Sequence, residues 1–184
     1  MAGTSAFAVC LAVLYQLAAS MDAVGRFGSG ENGPSRFVIA GLTDLVNHGV
    51  VLERGGEPIE IGVGSSNSAG FSSHVTALVL PLVLAAAGYL LVRSVRLETR
   101  REARLAIGSL VACYAVLTAG LATVARWTPQ VADSEPNAEA IGAPIDFGTL
   151  LTISRTAFTF AVIGAVVAAL PRLLASSELL ELDR

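Results

Sequence analysis

Apolar residues fall in long runs separated by short polar segments, and the run lengths already set the expected elements. A bilayer core about 30 Å thick takes roughly 20 helical residues. Four stretches reach that length: Met1 to Met21, about Gly70 to Val92, Leu105 to Ala125, and about Phe147 to Leu170. The first three carry no charge and the fourth carries only Arg155. In the fourth, Ala161, Ala165 and Ala169, with Gly164 and Ala168 beside them, repeat at close to four-residue spacing. Such stripes let helix backbones approach closely in lipid, which favours a packed bundle over isolated spans. Pro81 is expected to kink the second span.

The segment 22–69 carries a different pattern. Its start, GRFGSGENGPS, is rich in turn formers. From Phe37 to Gly49, Val38, Ile39, Leu42, Leu45 and Val46 fall on one helical face and Thr43, Asp44, Asn47 and His48 on the other, with Ser35 placed to cap the start. That pattern predicts a short amphipathic helix lying along the membrane interface with its polar face solvated. Val50 and Leu52, then Ile59, Ile61 and Val63, alternate around Gly55-Gly56 and predict a hairpin. The predicted fold is therefore all-α: a single membrane domain over 1–184 made of a four-transmembrane-helix bundle, with a small outer helix-plus-hairpin segment.

Composition supports the membrane setting. Of 184 residues, 53% are hydrophobic and 15% charged, against about 25% charged in soluble domains. All 12 basic residues are Arg and the net charge is −3, with no basic block able to track a phosphate backbone, so nucleic acid is excluded as a partner. Charge placement gives an orientation. The segment 93–104, RSVRLETRREAR, holds five Arg and two Glu. Segment 22–69 holds three Arg and six carboxylates, and segment 126–146 one Arg and four carboxylates. The positive-inside rule places the Arg-rich loop 93–104 in the cytoplasm, both acidic segments outside, and both termini, including the tail 171–184, inside the cell membrane. Phe71, Trp127 and Phe147 then fit an outer aromatic belt. Ala18-Ala19-Ser20 also fits a signal-peptidase site, which would leave three spans, but no Lys or Arg precedes the apolar run. A start upstream of Met1 is a third reading of the same end.

The candidate chemistry is sparse. Arg155 is the one intramembrane charge, and Thr149, Thr152, Thr156 and Thr159 recur beside it at spacings of 3, 4 and 3. This polar stripe can line an outward vestibule that draws an anion, or join Gln16, Asp22 and Asp146 in a structural network near the outer edge. Asp44 and His48 stand at i, i+4, and with His74 make a weak metal candidate, although two histidines form no recognisable zinc motif. Arg93, Arg96, Arg100, Arg101 and Arg104 suit anionic lipid head groups. Cys10 and Cys113 lie in apolar runs and read as small buried hydrophobes. No nucleophile elbow, phosphate-cradling loop or metalloprotease motif is present, and no cofactor is implied.

The lack of Lys, the acidic loops, the Asn47-His48-Gly49 segment before a hairpin and the Arg-rich loop together resemble small haloarchaeal four-span membrane proteins of unknown function. That resemblance is one of whole-chain style and implies neither an activity nor site residues. The leading expectation is a non-catalytic accessory or structural subunit in contact with lipids and with a membrane-protein partner or its own copies. A transporter element built on the Arg155 vestibule comes second, and a metal-binding protein or enzyme third.

Overall fold

The computed structural model describes residues 2–20, 34–59, 70–94, 100–128 and 139–182. The chain is mostly helical. Its elements in order are α1 (Ala2–Ser20), α2 (Arg36–Asn47), β1 (Leu52–Arg54), β2 (Glu57–Ile59), α3 (Gly70–Ser94), α4 (Arg100–Val124), β3 (Ile141–Gly142) and α5 (Phe147–Leu182). Among the described residues three helices are long and apolar enough to cross a membrane, over Thr76–Ser94, Arg101–Val124 and Phe147–Pro171. The apolar stretch of α1, Ala2–Ala18, is shorter.

The helices extend beyond the apolar runs. Arg93 lies in the last turn of α3 and Arg101 and Arg104 in the first turns of α4, so the segment 93–104 is helical at both ends rather than a loop throughout. Arg is a good helix former, and an apolar count misses helix carried on by such residues. For the same reason α5 continues past Pro171 to Leu182, into the segment assigned to the tail.

The tightest joint is between α3 and α5. A Cβ added at Gly88 would run into the carbonyl of Ala161, and one added at Gly164 would run into the carbonyl of Ala85. Each helix therefore places a glycine against the other's backbone, and bare backbone contact is the reason for the small-residue stripe. The α1 helix packs on α3 and on α4, where Phe7 meets Tyr114 edge-on with ring centroids 6.2 Å apart. The core formed this way includes Leu14, Leu80, Leu84, Leu110 and Tyr114.

At one end of the bundle the polar connections build a small antiparallel sheet in the order β2-β1-β3. Leu52 pairs with Ile59 across a turn at Gly55-Gly56, whose φ values of 60° and 87° suit the tight hairpin turn that glycine allows. Glu53 pairs with Gly142, and Trp127 bridges Ile141 through two backbone hydrogen bonds of 3.0 and 2.7 Å. The third strand comes from the second acidic segment. Ile61 and Val63 lie outside the described residues. The hairpin end is also where α5 begins, and there Asp146 accepts a hydrogen bond from the Thr149 backbone N–H at 2.7 Å.

The short helix α2 does not lie flat on the bundle. Ile39 clusters with Ala18 near the hairpin end of α1, whereas Asp44 reaches Cys10, eight residues earlier and so about 12 Å farther along that helix. A Cβ on Gly41 would stand 2.7 Å from the Cβ of Ala125. Thus α2 runs antiparallel to α1 and wedges into the bundle between α1 and α4, which corrects the expectation of an interfacial helix with a solvated polar face. Its start is capped by the Ser35 hydroxyl, which accepts from the Val38 N–H at 3.3 Å. At its end, Gly49 N–H donates to Val46 and Val50 N–H donates to Leu45, with Gly49 at φ 83°. That Schellman turn lets the chain double back toward β1.

Two outcomes test this frame. Gly88→Val must separate α3 from α5 or shift their axes, and is expected to cost about 1–3 kcal/mol or more, read as a drop in melting temperature in detergent. The second concerns Asp146, whose carboxyl is held below the usual carboxylate range by the Thr149 N–H. A depressed folded-state pKa stabilises above the unfolded value and loses that contribution as pH falls through the folded value. Asp146→Asn keeps an acceptor without a titrating group, so its melting temperature should fall less on acidification than that of the wild type.

Candidate functional site: a buried Asp44–His48 cluster

The polar residues at the deep end of α2 are almost fully enclosed. Asp44 is 1% exposed and His48 2%. Each contacting element has a defined role. From α1, the Cys10 thiol donates to Asp44 Oδ1 at 3.2 Å. From α4, the Tyr114 ring lies against the His48 ring with centroids 5.6 Å apart. From α5, the Thr156 hydroxyl donates to the His48 carbonyl at 3.1 Å. From α3, the Thr76 carbonyl accepts from Asn47 Nδ2 at 2.9 Å. The cluster thus ties α2 to all four of the longer helices.

The histidine geometry fixes a tautomer. Its Nδ1 is 2.7 Å from the Asp44 carbonyl oxygen and 3.9 Å from Asp44 Oδ2. The backbone carbonyl can only accept, so Nδ1 carries a proton. Nε2 is then the basic nitrogen of the neutral ring, and it has no hydrogen-bond partner among the described residues. The Tyr114 hydroxyl and Thr118 Oγ1, four residues apart on α4, are likewise buried, beside each other and the Cys10 thiol but without a hydrogen bond of normal geometry among the described residues. Unpaired polar atoms are exceptions in folded interiors, and three in one cluster mark this place as unusual. Burial pushes the Asp44 carboxyl above the usual carboxylate range, while the neighbouring His48 pulls it down and the Cys10 hydrogen bond adds to that pull.

The structure separates the residues that the Thr–Arg pattern had grouped. Thr156 turns inward to His48, and Thr149 is buried. Thr152 donates to the Gly148 carbonyl and Thr159 to the Arg155 carbonyl, so both hydroxyls are spent within α5. Arg155 is exposed on the opposite flank, between the exposed side chains of Leu151 and Phe158. Among the described residues no carboxylate lies within ion-pair distance of it. Gln16 is exposed on α1 and Asp22 lies outside the described residues.

Asp44 and His48 do meet, but inside the protein rather than on a solvated face, and the His74 side chain is outside the described part. No group of three His, Cys, Asp or Glu able to hold a metal occurs among the described residues. Of the Arg set, Arg93, Arg101 and Arg104 are exposed at the end of the bundle opposite the hairpin. Arg93 donates to the Tyr89 hydroxyl and lies over that ring at 5.8 Å. Arg96 and the side chain of Arg100 lie outside the described part. Both cysteines are free, and Cys10 acts as a hydrogen-bond donor as well as a core residue. The sequence gave no reason to join Cys10, Tyr114 and Thr118 to the Asp44–His48 pair, because they lie on helices far apart in the chain. Comparison with protein-family models, with curated proteins and with solved structures finds no match in any of the three.

One substitution type gives opposite outcomes at two positions. Thr156→Val orphans the His48 carbonyl and should cost about 1–3 kcal/mol. Thr118→Val removes an oxygen that makes no hydrogen bond of normal geometry among the described residues and should leave stability within about 0.5 kcal/mol of the wild type or raise it. Thermal melts of the two variants in one detergent decide this.

Proposed function

We propose that the chain is an integral membrane protein of four spans, with α1 as the fourth beside α3, α4 and α5. It serves as a non-catalytic accessory or structural subunit that docks against another membrane component. The Arg-rich end would face the cytoplasm under the positive-inside rule, with both termini on that side and the hairpin end outside. The exposed Arg93, Arg101 and Arg104 would then lie at the level of anionic head groups.

The observation that carries the docking reading is Arg155. It stands eight residues past Phe147, about 12 Å along α5. Its flank is apolar, with Leu151 56% and Phe158 53% exposed. A guanidinium directed from a spanning helix toward hydrocarbon is expensive even when its stem bends toward the interface. A neighbouring protein that offers a carboxylate or carbonyls removes that cost, and the surrounding apolar side chains supply its packing surface. The α5 flank is thus the surface assigned to a protein partner or a second copy of the chain.

A photo-crosslinking amino acid placed at Phe158 tests this in native membranes. The expected result is a discrete adduct of one protein mass above the monomer, lost or strongly weakened when Arg155→Glu is added. Adducts to lipid alone, or a protein adduct indifferent to Arg155→Glu, would sink the reading.

A further inference from the structure

We propose that Asp44 and His48 together form a proton-binding site that locks α2 into the bundle: one proton held by the pair keeps the buried cluster uncharged, and its loss releases the helix. The inference stands apart from docking at Arg155 and uses different residues.

The argument begins with charge counting. With Nδ1 committed as a donor, the two places for a further proton are His48 Nε2 and the Asp44 carboxyl. One proton on either makes the pair neutral overall, as a neutral acid beside a neutral ring or as a carboxylate beside an imidazolium. Without it a single negative charge remains at a position that is 1% exposed. A buried charge that lacks a compensating partner is strongly unfavourable.

Among the described residues no other group nearby compensates. The element most extensively packed on α2, α1, presents Cys10, and α4 presents Tyr114, both neutral proton donors. Among the described residues α3 and α5 present only the Thr76 carbonyl and the Thr156 hydroxyl, and Arg155 is exposed on the far flank. Among the described residues the cluster therefore holds no Arg or Lys that could offset a charge on Asp44. Nε2 is buried and has no hydrogen-bond partner among the described residues. The ring is also close to an exit, because Gly49, the next residue, is exposed. On release the proton passes to bulk water as α2 opens, and the pair is left with one negative charge.

The consequence is mechanical. What retains α2 beyond its apolar contacts is this polar end, so the deprotonated pair favours moving α2 toward water. The sign follows from burial: a carboxyl held above its usual range stabilises the inserted state at lower pH and loses that contribution as pH rises through the folded value.

Cys10 is a built-in reporter, because α2 covers its thiol. In full-length protein carrying Cys113→Ser, in mild detergent, the rate of maleimide labelling of Cys10 is measured against pH. Thiolate chemistry alone gives about tenfold per pH unit while the thiol is mostly protonated, and the denatured protein supplies that reference slope. The wild type is expected to rise more steeply than the reference over one window of pH. Asp44→Asn, which cannot acquire the charge, should be labelled slowly and follow the reference slope. His48→Gln should keep the steep window but move it to higher pH, since His48 eases ionisation of the carboxyl. A wild type parallel to Asp44→Asn at every pH overturns the proposal. So does a steep window unmoved by His48→Gln, or Asp44→Asn labelled as fast as denatured protein.

Discussion

Inserting a twelve-residue helix between two longer ones is the constraint on which the rest of this structure depends. A helix wedged into a bundle brings its polar end inside, and every polar group there needs a partner supplied by its neighbours. The cluster around Asp44 and His48 meets that demand only in part, with one group from each of α1, α3 and α5 and a ring face from α4, and leaves His48 Nε2 without a partner among the described residues. The Gly41–Ala125 contact brings the backbone close enough for those groups to reach. The Schellman turn at Gly49 then reverses the chain, and the sheet around β1 anchors it where it emerges. Removing α2 would leave α1 and α4 facing a gap and would strip the sheet of its central strand's lead-in.

How far this was legible in the sequence depends on the range of the interaction. The helices could be read because apolar runs of about 20 residues report a local property. The turn at Gly55-Gly56 could be read for the same reason. The placement of α2 could not, because an amphipathic pattern looks alike whether the polar face meets water or a polar pocket built by other helices. Asp44 and His48 were recognisable as a pair at i, i+4. Their burial depends on Cys10 and Tyr114, which lie 34 residues before Asp44 and 66 residues after His48 and carry no shared motif. The threonine stripe misled for a related reason. Thr156 and Arg155 are adjacent in sequence, but the rotation of α5 that turns one inward and the other outward is fixed by the contacts of Gly88 and Gly164, not by anything near them. The strand β3 is two residues long, too short to leave a pattern.

Two polar features therefore divide the work of this otherwise apolar protein. One is enclosed and sets how the chain's own helices sit. The other, Arg155, is turned outward from α5. They are neighbours along the chain through Thr156, which bonds the His48 carbonyl. A change at the deep end of α2 thus reaches the outward flank through a single peptide unit.

The reciprocal glycine contact between α3 and α5 has a bearing on movement. Two helices whose backbones touch through paired glycines have no side-chain cushion between them, so sliding or rolling one against the other meets carbonyl oxygens at once. That pair forms the keel of the molecule. Any rearrangement must then be taken up by α1, α2 and α4 around it, and the part of the surface that stays constant through such a change is the flank of α5 that carries Arg155.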